Sequence, residues 1–321
     1  MNPHIKTSLK SDTTKIMSNY SGKNKALQAH ASLLAAELFW GLLAPIGKDA
    51  MLNGVDNVSL VTFRVAGAAL LFWISSIFIK ERIPWKHVVL LAGAALLGVV
   101  FNQCLFTFGL SFTSPINSSI VTTSMPIFAM VLSFFILKEP ITWMKAGGVL
   151  IGCTGAVFLI LSSAHTGGKA GNIWGDLMCI GAQLSFALYL TLYNPIIRKY
   201  NVVTINKWMF TWSAIFILPF TSWHVAAQQW TALSVRIWME VLFVVVFGTF
   251  LSYMLAVVGQ RILRPTVVSV YNYVQPIVSV AVSVATGLGI FTVSHGIAII
   301  LVFTGVWMVI KSKSKRDMEK D

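Results

Sequence analysis

Residues 115–137 read PINSSIVTTSMPIFAMVLSFFIL, and residues 265–286 read PTVVSVYNYVQPIVSVAVSVAT. Each stretch is an apolar run of about the length that a helix needs to cross a hydrocarbon layer ~30 Å thick. Each also begins with a proline and carries a second one eleven positions later, at Pro126 and Pro276. A proline inside a helix removes a backbone donor and kinks the helix, so the matched prolines predict two copies of one helical unit.

The composition of the whole chain indicates that its solvent is lipid. Of its 321 residues, 56% are hydrophobic and only 11% are charged, and the mean hydropathy is +0.76. A soluble domain of this size cannot bury so much apolar surface. We therefore predict an all-α, polytopic membrane protein with ten transmembrane helices, over residues 31–50, 58–79, 88–110, 115–137, 143–161, 174–196, 204–223, 236–258, 265–286 and 293–311.

The likeness between the two halves extends beyond the prolines. When residues 86–160 are placed on 236–310 without a gap, other helix-shaping residues coincide: Gly98 with Gly248, Gly109 with Gly259, and Thr154-Gly155 with Thr304-Gly305. Such residues mark kinks and close helix contacts. A unit of five spans places its second copy upside down, so we expect two inverted five-helix repeats. That architecture is typical of secondary transporters, whose central site is reached alternately from each side.

The segments outside the spans are polar. Residues 1–28 carry five lysines and no apolar core or cleavage site, so we predict a disordered cytoplasmic tail and not a signal peptide. The first repeat is expected over 31–161, the second over 174–311, and a basic cytoplasmic tail over 312–321. The glycine-containing stretch 162–171 links the two repeats on the outer side.

The net charge of +13 follows the membrane and does not require a nucleic-acid partner. With both termini in the cytoplasm, 20 of the 24 lysines and arginines fall in cytoplasmic segments, three fall outside, and Arg64 lies within a span. Positive residues accumulate on the cytoplasmic side of membrane proteins, so the basic excess is an orientation signal. We predict a multi-pass protein of the cell membrane (the inner membrane in a Gram-negative cell) that contacts the lipid bilayer and binds no nucleic acid.

The sequence predicts no metal site, no cofactor and no catalytic centre. The three cysteines and six histidines do not have the spacing of metal ligands. The spans also lack a nucleophile–base pair and a set of paired carboxylates at helical spacing, so we expect the protein not to be an enzyme. A channel is disfavoured because the spans carry no charged ring or pore-lining repeat.

Short motifs along the chain carry a resemblance to a known family. They are Leu38-Phe39-Trp40-Gly41, Phe63-Arg64, Ser124-Met125-Pro126, Leu137-Lys138-Glu139-Pro140-Ile141-Thr142 and Gly147 through Gly155, followed more loosely by Trp174-Gly175-Asp176 and Gln275-Pro276. Over residues 31–311 the chain resembles the EamA-type branch of the drug/metabolite transporter (DMT) superfamily. It departs at residues 287–292, GLGIFT, where the acidic turn of the first half does not recur. The resemblance implies a ten-helix carrier of small metabolites, often an exporter, without fixing the substrate.

Polar side chains within the spans are candidates for a substrate site, because burying them in a membrane is costly. Tyr271 and Gln275 are the first choice, since residues four apart share a helix face and Pro276 frees a carbonyl nearby. The hydroxyls of the fourth span can instead bond to their own helix. The predicted substrate-binding residues are Tyr271, Gln275, Asn272, Tyr253, Asn102, Gln103, Asn117, Trp40 and Tyr189, with helix kinks at Pro126 and Pro276.

The predicted lining consists of hydroxyls, amides and aromatic rings, with few fixed charges. Such a lining suits a neutral or zwitterionic molecule with an apolar body, such as an amino acid. Arg64 is the basic residue that lies within a span, about six residues from its outer end. Its long side chain can face the site, or it can extend to the outer headgroups.

Glu37 stands alone in the apolar stretch AAELFWGLLAPIGKDA of residues 35–50. It lies about 9 Å into its span at ~1.5 Å per residue, too deep to reach the headgroups, so it must face protein or water. Gln183 occupies the corresponding place in the second repeat. Because only one half carries the carboxyl, we hypothesise that Glu37 couples transport to protons. The alternative is a structural carboxyl that joins spans 1 and 6.

These features predict a secondary active transporter that exports a small neutral or zwitterionic metabolite by alternating access, with protons as the coupling ion. A flippase for a lipid or a lipid-linked sugar on the same fold is the alternative. An intramembrane enzyme is a weaker one.

Overall fold

The structure is a computed structural model that describes residues 3–137, 142–165, 172–263 and 265–311. Within those ranges all regular secondary structure is helical, and no strand occurs. The predicted all-α class is therefore confirmed. Residues 138–141 of the acidic turn, residues 166–171 of the predicted linker and the predicted basic tail 312–321 lie outside the described residues.

The described chain forms fifteen α-helices, several of which are joined by turns of another helical type. The helices are α1 (Pro3–Leu52), α2 (Asn57–Ser76), α3 (Trp85–Ala95), α4 (Asn102–Phe112), α5 (Pro115–Thr122), α6 (Met125–Leu137), α7 (Trp143–His165), α8 (Ile173–Leu192), α9 (Asn194–Lys199), α10 (Val202–Ala227), α11 (Val235–Val245), α12 (Ser252–Ile262), α13 (Pro265–Val270), α14 (Val274–Ala285) and α15 (Val293–Lys311). π-Helical turns at Leu96–Phe101 and Val246–Leu251 join α3 to α4 and α11 to α12, and 3₁₀ turns lie at Trp230–Ala232 and Tyr271–Tyr273.

Eight stretches of the described chain are long and apolar enough to cross a membrane. They are Asn24–Leu52, Asn57–Ser76, Trp85–Phe112, Pro115–Ile136, Ile173–Leu192, Val202–Ala227, Val235–Ile262 and Val267–Ala285, and they coincide with eight of the predicted spans. The apolar parts of α7 and α15, Ala146–Gly155 and Val293–Gly305, are shorter. The count of ten spans therefore stays a prediction.

Helix α1 begins at Pro3, within the predicted N-terminal tail 1–28, whose disorder stays a prediction. Helix α7 likewise extends through His165, into the predicted linker.

Capping side chains fix the starts of α2 and α10, which hold corresponding places in the two halves. Asp56 accepts a hydrogen bond from the backbone N–H of Ser59, and Asn201 accepts one from that of Val203. Each bond satisfies a donor that the first helical turn leaves unpaired. Gly54 makes the turn before Asp56 with a φ of 110°, a conformation that residues with side chains rarely adopt.

The helices pack in pairs that follow the repeat. Helix α2 packs along α10, and α7 packs along α15. Helix α4 packs along α8 as α12 packs along α1, and α6 packs against α8 as α14 packs against α1. Exchanging the two halves maps this set of contacts onto itself, as a pseudo-two-fold relation between repeats requires.

Glycine contacts show the same relation at the scale of atoms. Gly98 packs against the ring of Tyr189, and a Cβ added to this glycine would lie 2.7 Å from Cγ of that ring. In the other half Gly248, 150 residues after Gly98, packs against Leu43, which lies 146 residues before Tyr189. An offset of 146 is also the one that aligned the first span with the sixth in the sequence.

Hydrogen bonds repeat in the same register. The side chain of Asn102 donates to the carbonyl of Ala182 at 3.0 Å. Ser252, at the matching position of α12, donates to the carbonyl of Ala36 at 3.5 Å. The π turns at Leu96–Phe101 and Val246–Leu251, which the sequence analysis did not anticipate, also lie 150 residues apart.

Helix interruptions precede both mid-span prolines. Helix α5 ends at Thr122 and α6 begins at Met125, just before Pro126. Helix α13 ends at Val270, and the 3₁₀ turn Tyr271–Tyr273 leads into α14. Each proline lacks the N–H that would continue the preceding turn, so the helix breaks there.

Two apolar clusters form the core. One includes Phe72, Tyr189 and Phe210, and the other includes Leu60 and Leu110. Trp40 packs against both clusters, so the centre of the molecule lies where they meet.

Candidate functional site: a central cavity

A central cavity of about 50 Å³ lies where the two apolar clusters meet. Side chains of both repeats line the cavity, from α1, α2, α4, α8, α12 and the junction of α13 with α14. The lining residues are Trp40, Leu43, Arg64, Asn102, Phe106, Gln183, Phe186, Tyr253, Asn272 and Gln275.

Three aromatic rings form an apolar part of the lining. Trp40 meets Tyr253 edge to face with ring centroids 5.7 Å apart, and it meets Phe186 edge to face at 5.9 Å. The rings of Phe186 and Tyr253 are 6.5 Å apart. Because edge-to-face contacts hold each ring against its neighbours, this surface is formed in advance of any ligand and suits an apolar body.

The first π turn presents carbonyl groups to the helices beside the cavity. The hydroxyl of Tyr253 donates to the carbonyl of Gly98 at 2.8 Å and lies 3.3 Å from Oδ1 of Asn102. The neighbouring carbonyl of Leu97 accepts a hydrogen bond from the hydroxyl of Ser185 at 2.7 Å. The turn thereby ties α3 and α4 to α8 and α12, in keeping with the frequent presence of π turns at functional sites.

Arg64 lies in α2 with 4% of its surface exposed, and it lines the cavity. Its Nε donates to Oγ1 of Thr249 at 3.1 Å, and its Nη1 donates to Oγ1 of Thr107 at 3.0 Å. Thr249 belongs to the second π turn, where its hydroxyl donates to the carbonyl of Val244 at 2.8 Å. The alternative in which Arg64 extends to the outer headgroups is therefore wrong, because two threonines hold its side chain inward.

Glu37 lies directly behind the lining, with 1% of its surface exposed. Its Oε2 accepts a hydrogen bond of 2.5 Å from Nε2 of Gln275, which lines the cavity. Gly41, one turn further along α1, lets α14 approach, since an added Cβ would lie 3.1 Å from the carbonyl oxygen of Gln275. The expectation that a structural Glu37 joins spans 1 and 6 is corrected: the carboxyl joins α1 to α14, in the ninth predicted span.

Five predicted substrate-binding residues line this cavity: Trp40, Asn102, Tyr253, Asn272 and Gln275. The other four predicted residues, Tyr271, Gln103, Asn117 and Tyr189, do not belong to the lining.

Tyr271, which was paired with Gln275 as the first choice, contacts another part of the molecule. Its hydroxyl lies 2.6 Å from Nδ1 of His30 in α1. The prediction assumed the period of an α-helix, whereas the structure has a 3₁₀ turn at Tyr271–Tyr273. Asn272 in this turn and Gln275 in the first turn of α14 both line the cavity.

Two further predicted residues are buried away from the lining. The hydroxyl of Tyr189 donates to Oε1 of Gln260 at 3.1 Å, while its ring covers Gly98. The side chain of Gln103 is fully buried in α4. Tyr189 therefore joins α8 to α12.

Asn117 belongs to a separate buried cluster that joins α5, α8 and α15. Its Nδ2 donates to Oδ2 of Asp176 at 3.2 Å, and its Oδ1 accepts from Nε2 of His295 at 2.8 Å. The hydroxyl of Thr113 donates to Oδ1 of Asp176 at 2.6 Å. Because Nδ1 of His295 accepts from the backbone N–H of Thr292, Nε2 carries the proton of the neutral ring.

Sequence reasoning missed half of the cavity lining. Leu43, Phe106 and Phe186 are apolar residues in apolar spans, so nothing in the sequence distinguishes them from lipid-facing ones. Gln183 was recognised only as the counterpart of Glu37. Among the residues that the structure describes, no group of three His, Cys, Asp or Glu side chains could hold a metal ion.

Comparison with known proteins identifies the family. A model of the EamA-like transporter family matches residues 28–161 and again residues 173–311, once for each half. The uncharacterized transporter YetK of Bacillus subtilis (strain 168) is 25% identical over 300 residues, which are 91% of this chain and 90% of YetK. The uncharacterized transporter YyaM of the same organism is 23% identical over 286 residues, 88% of this chain and 93% of YyaM.

Other relatives agree with this assignment. The uncharacterized inner membrane transporter YhbE of Escherichia coli (strain K12) is 26% identical over 203 residues, 61% of this chain and 63% of YhbE. One crystal structure of another protein superposes with a TM-score of 0.64 at 17% identity, covering 88% of this chain and 99% of that one, and it supports the fold alone. With two family matches that together span most of its length, this chain is a multi-pass membrane protein of the EamA-like transporter family.

Proposed function

We propose that the protein is a secondary active transporter that exports a small neutral or zwitterionic metabolite, such as an amino acid, by alternating access. The central cavity carries this proposal, because both repeats line it and it lies where they meet. In transporters built from inverted repeats, rocking of one repeat against the other opens such a site to one side at a time. The aromatic rings would hold an apolar body, and the amide side chains would bind polar groups.

The proposed topology has ten spans in two inverted repeats, with both termini in the cytoplasm. The symmetric packing of α4 on α8 and of α12 on α1 supports the repeat, and the distribution of lysine and arginine supports the orientation. In this topology α7 and α15 are the fifth and tenth spans, and they pack against each other.

Contacts above and below the cavity are candidates for its two gates. On the proposed outer side, Arg236 of α11 forms an ion pair of 2.8 Å with Asp49 of α1. On the proposed inner side, His30 of α1 contacts Tyr271, and Arg198 donates to the carbonyl of Leu263 at 2.9 Å. The Arg236–Asp49 ion pair and the His30–Tyr271 contact each join the first repeat to the second, so a rocking motion would break one of them while the other remains.

Glu37 is proposed to couple this cycle to protons. It is a buried carboxyl that is one hydrogen bond away from the cavity, through Gln275. A substrate that contacts Gln275 would therefore change the surroundings of the carboxyl directly. The structural alternative, in which Glu37 only holds α1 against α14, rests on the same hydrogen bond. The variant Glu37→Gln distinguishes it from proton coupling.

A flippase is the second candidate function, and one feature favours it. A groove of about 520 Å³ lies between α3 and the junction of α8 with α9. Its lining is largely apolar and includes Lys199, so it would suit an acyl chain with an anionic headgroup. The lining residues are His87, Leu90, Leu192, Tyr193, Pro195, Ile196 and Lys199.

Counterflow in proteoliposomes tests the two candidates against each other. Vesicles that contain the purified protein are preloaded with unlabelled amino acids, nucleosides or sugars, and uptake of the labelled compound is measured against protein-free vesicles. We expect accumulation of at least one neutral or zwitterionic compound. Translocation of a fluorescent lipid without counterflow of any soluble compound would contradict the transporter proposal and favour the flippase.

A further inference from the structure

Arg64 is the basic residue of the cavity lining, and we infer that it binds the carboxylate of the transported molecule. The inference rests on the proposed function and narrows it. Among neutral and zwitterionic metabolites, the substrates would be those that carry a carboxylate, and neutral molecules would be excluded.

The burial of Arg64 without an acidic partner is the first observation behind this inference. Among the described side chains, the ion pairs are formed by Arg236, with Asp49 and Glu240, and none involves Arg64. Glu37, the other charged residue near the centre, accepts its hydrogen bond from Gln275. A guanidinium buried without a counter-ion is costly, and a ligand carboxylate would offset that cost.

The hydrogen bonds of Arg64 supply the second observation. A guanidinium has five N–H donors in a planar fork. Thr249 takes the bond from Nε and Thr107 takes one from Nη1, so these hydroxyls fix the orientation of the fork without neutralising its charge. The other N–H groups of the guanidinium can donate to a ligand, because the side chain of Arg64 lines the cavity. A planar carboxylate can accept two parallel bonds from such a fork, which adds geometric selectivity to the charge.

The rest of the lining can accommodate the remainder of an amino acid. Gln275 uses Nε2 to donate to Glu37, so Oε1 is the atom of that amide which can accept a hydrogen bond from an ammonium group. The rings of Trp40, Phe186 and Tyr253 provide an apolar surface for a side chain. A single arginine in this lining suits one carboxylate, whereas a polyanion would require several basic residues.

The test compares ligands that differ only at the carboxyl group. The melting temperature of the purified wild-type protein is measured at increasing concentrations of L-leucine, L-phenylalanine or L-glutamine, and of the primary carboxamide of each. We expect each acid to bind at least about tenfold more tightly than its amide, the size of effect that one charge-assisted hydrogen bond produces. The same pairs are compared as competitors of uptake in proteoliposomes.

Two substitutions at Arg64 and one matched control test whether Arg64 causes the preference for acids over amides. In Arg64→Gln the difference between acid and amide should fall to about threefold or less, and Arg64→Lys should keep part of it, because lysine retains the charge but not the fork. Arg82→Gln removes an exposed arginine that lies outside the central cavity and outside the proposed gates, so it should leave the difference unchanged. If Arg64→Gln does not fold, the comparison of acids with amides in the wild type and in Arg64→Lys decides whether Arg64 binds the carboxylate.

Each result bears on one proposal or the other. Equal binding of acids and amides by the wild type, or a difference that survives in Arg64→Gln, would overturn the role of Arg64 while leaving the transporter function intact. Uptake of sugars or nucleosides without binding of any acid would have the same meaning. If no soluble compound accumulates by counterflow, the proposed function itself would be overturned.

Discussion

The hydrogen bond between Glu37 and Gln275 is the residue-scale feature on which the proposed coupling depends. It joins a carboxyl in α1 to an amide that lines the cavity in α14, at 2.5 Å. Proton binding at Glu37 would change the charge next to the substrate and the hydrogen bond between two helices at once. A side chain in this position can therefore link the state of the cavity to the state of the helix contact.

Replacement of Glu37 by glutamine separates coupling from packing. Glu37→Gln keeps the shape of the side chain and its ability to bond to Gln275, so we expect the melting temperature to stay near that of the wild type. If one proton moves with each substrate molecule, a pH gradient drives about tenfold accumulation per pH unit in the wild type. In Glu37→Gln this accumulation should be lost, while substrate exchange should persist. Uptake and exchange are measured in proteoliposomes with and without a pH step.

Glu81→Gln is the control for this variant, because Glu81 lies outside the central cavity, where its Oε2 accepts a hydrogen bond from the backbone N–H of Asn201 at 2.9 Å. It removes a carboxyl away from the cavity and should leave the pH dependence of accumulation unchanged. An unchanged pH dependence in Glu37→Gln would show that this glutamate is structural.

Short departures from α-helical geometry decide, at the scale of the elements, which side chains reach the cavity. The 3₁₀ turn Tyr271–Tyr273 turns Asn272 toward it and Tyr271 toward His30. The π turn Val246–Leu251 places Thr249 where it accepts from Arg64. The residue types around these turns are not unusual, so the path of the backbone selects the lining.

A pair of substitutions in the 3₁₀ turn tests this selection. Asn272→Ala removes an amide from the cavity, and we expect it to weaken the apparent affinity for substrate about three- to tenfold, as the loss of one neutral hydrogen bond does. Tyr271→Phe removes only the hydroxyl that contacts His30 and leaves the cavity lining intact, so it should change the affinity less than Asn272→Ala does. Transport kinetics of both variants are measured at equal protein content. The reverse order of effects would mean that the α-helical register predicted from the sequence describes the working site.

Close approach of α15 to α7 is a second element-scale feature. A Cβ added at Gly305 would lie 2.6 Å from the backbone nitrogen of Gly152 and would also meet the carbonyl oxygen of Gly148. These are backbone atoms, which cannot move away as the end of a side chain can. The glycine therefore permits the contact between α7 and α15, whose apolar stretches are shorter than the eight of spanning length in the described chain.

Gly305→Val should push α15 away from α7 and destabilise the protein by about 1–3 kcal/mol, the usual cost of overpacking. The melting temperature in detergent should fall accordingly. Gly296→Ala, on the same helix, is the control, since the nearest atom to an added Cβ there is 3.8 Å away. Equal stability of the two variants would show that α15 does not need this close approach.

The whole molecule is organised by the relation between its halves. The same contacts recur with offsets of 146 residues for the first helix of each repeat and 150 for the third, as in Gly98 on Tyr189 and Gly248 on Leu43. The charged residues at the centre, Glu37 and Arg64, both come from the first repeat. The packing of the helices is thus symmetric between the halves, whereas both charged side chains at the centre come from the first half.

The orientation in the membrane can be tested with single cysteines. In a variant whose three native cysteines are replaced by serine, cysteine is introduced at Ser18, Thr166 or Ser314 and labelled in intact cells with an impermeant maleimide. We expect labelling at Thr166 from outside, and at the other two positions only after permeabilisation. Labelling of Thr166 from the cytoplasm would contradict the predicted topology and the inversion of the second repeat.

The sequence by itself determined the membrane solvent, the helical class and the repeat. Apolar runs of spanning length leave the backbone no alternative to helices, because in lipid every N–H and C=O must be paired within the segment. Matched prolines and glycines reveal the duplication, since they act on the backbone locally, whatever surrounds them. Glu37 stood out for the same reason: a carboxyl in an apolar span is conspicuous without any knowledge of its partner.

Only the tertiary structure decided which polar side chains share a cavity. Arg64 faces inward because Thr249, 185 positions away, accepts its hydrogen bond, and Glu37 meets Gln275 across a separation of 238. Asn272 reaches the cavity beside Gln275 whereas Tyr271 does not, and a 3₁₀ turn forms the backbone there. Periodicity describes one regular helix at a time, whereas the direction of a side chain at the centre depends on backbone irregularities and on partners from distant helices.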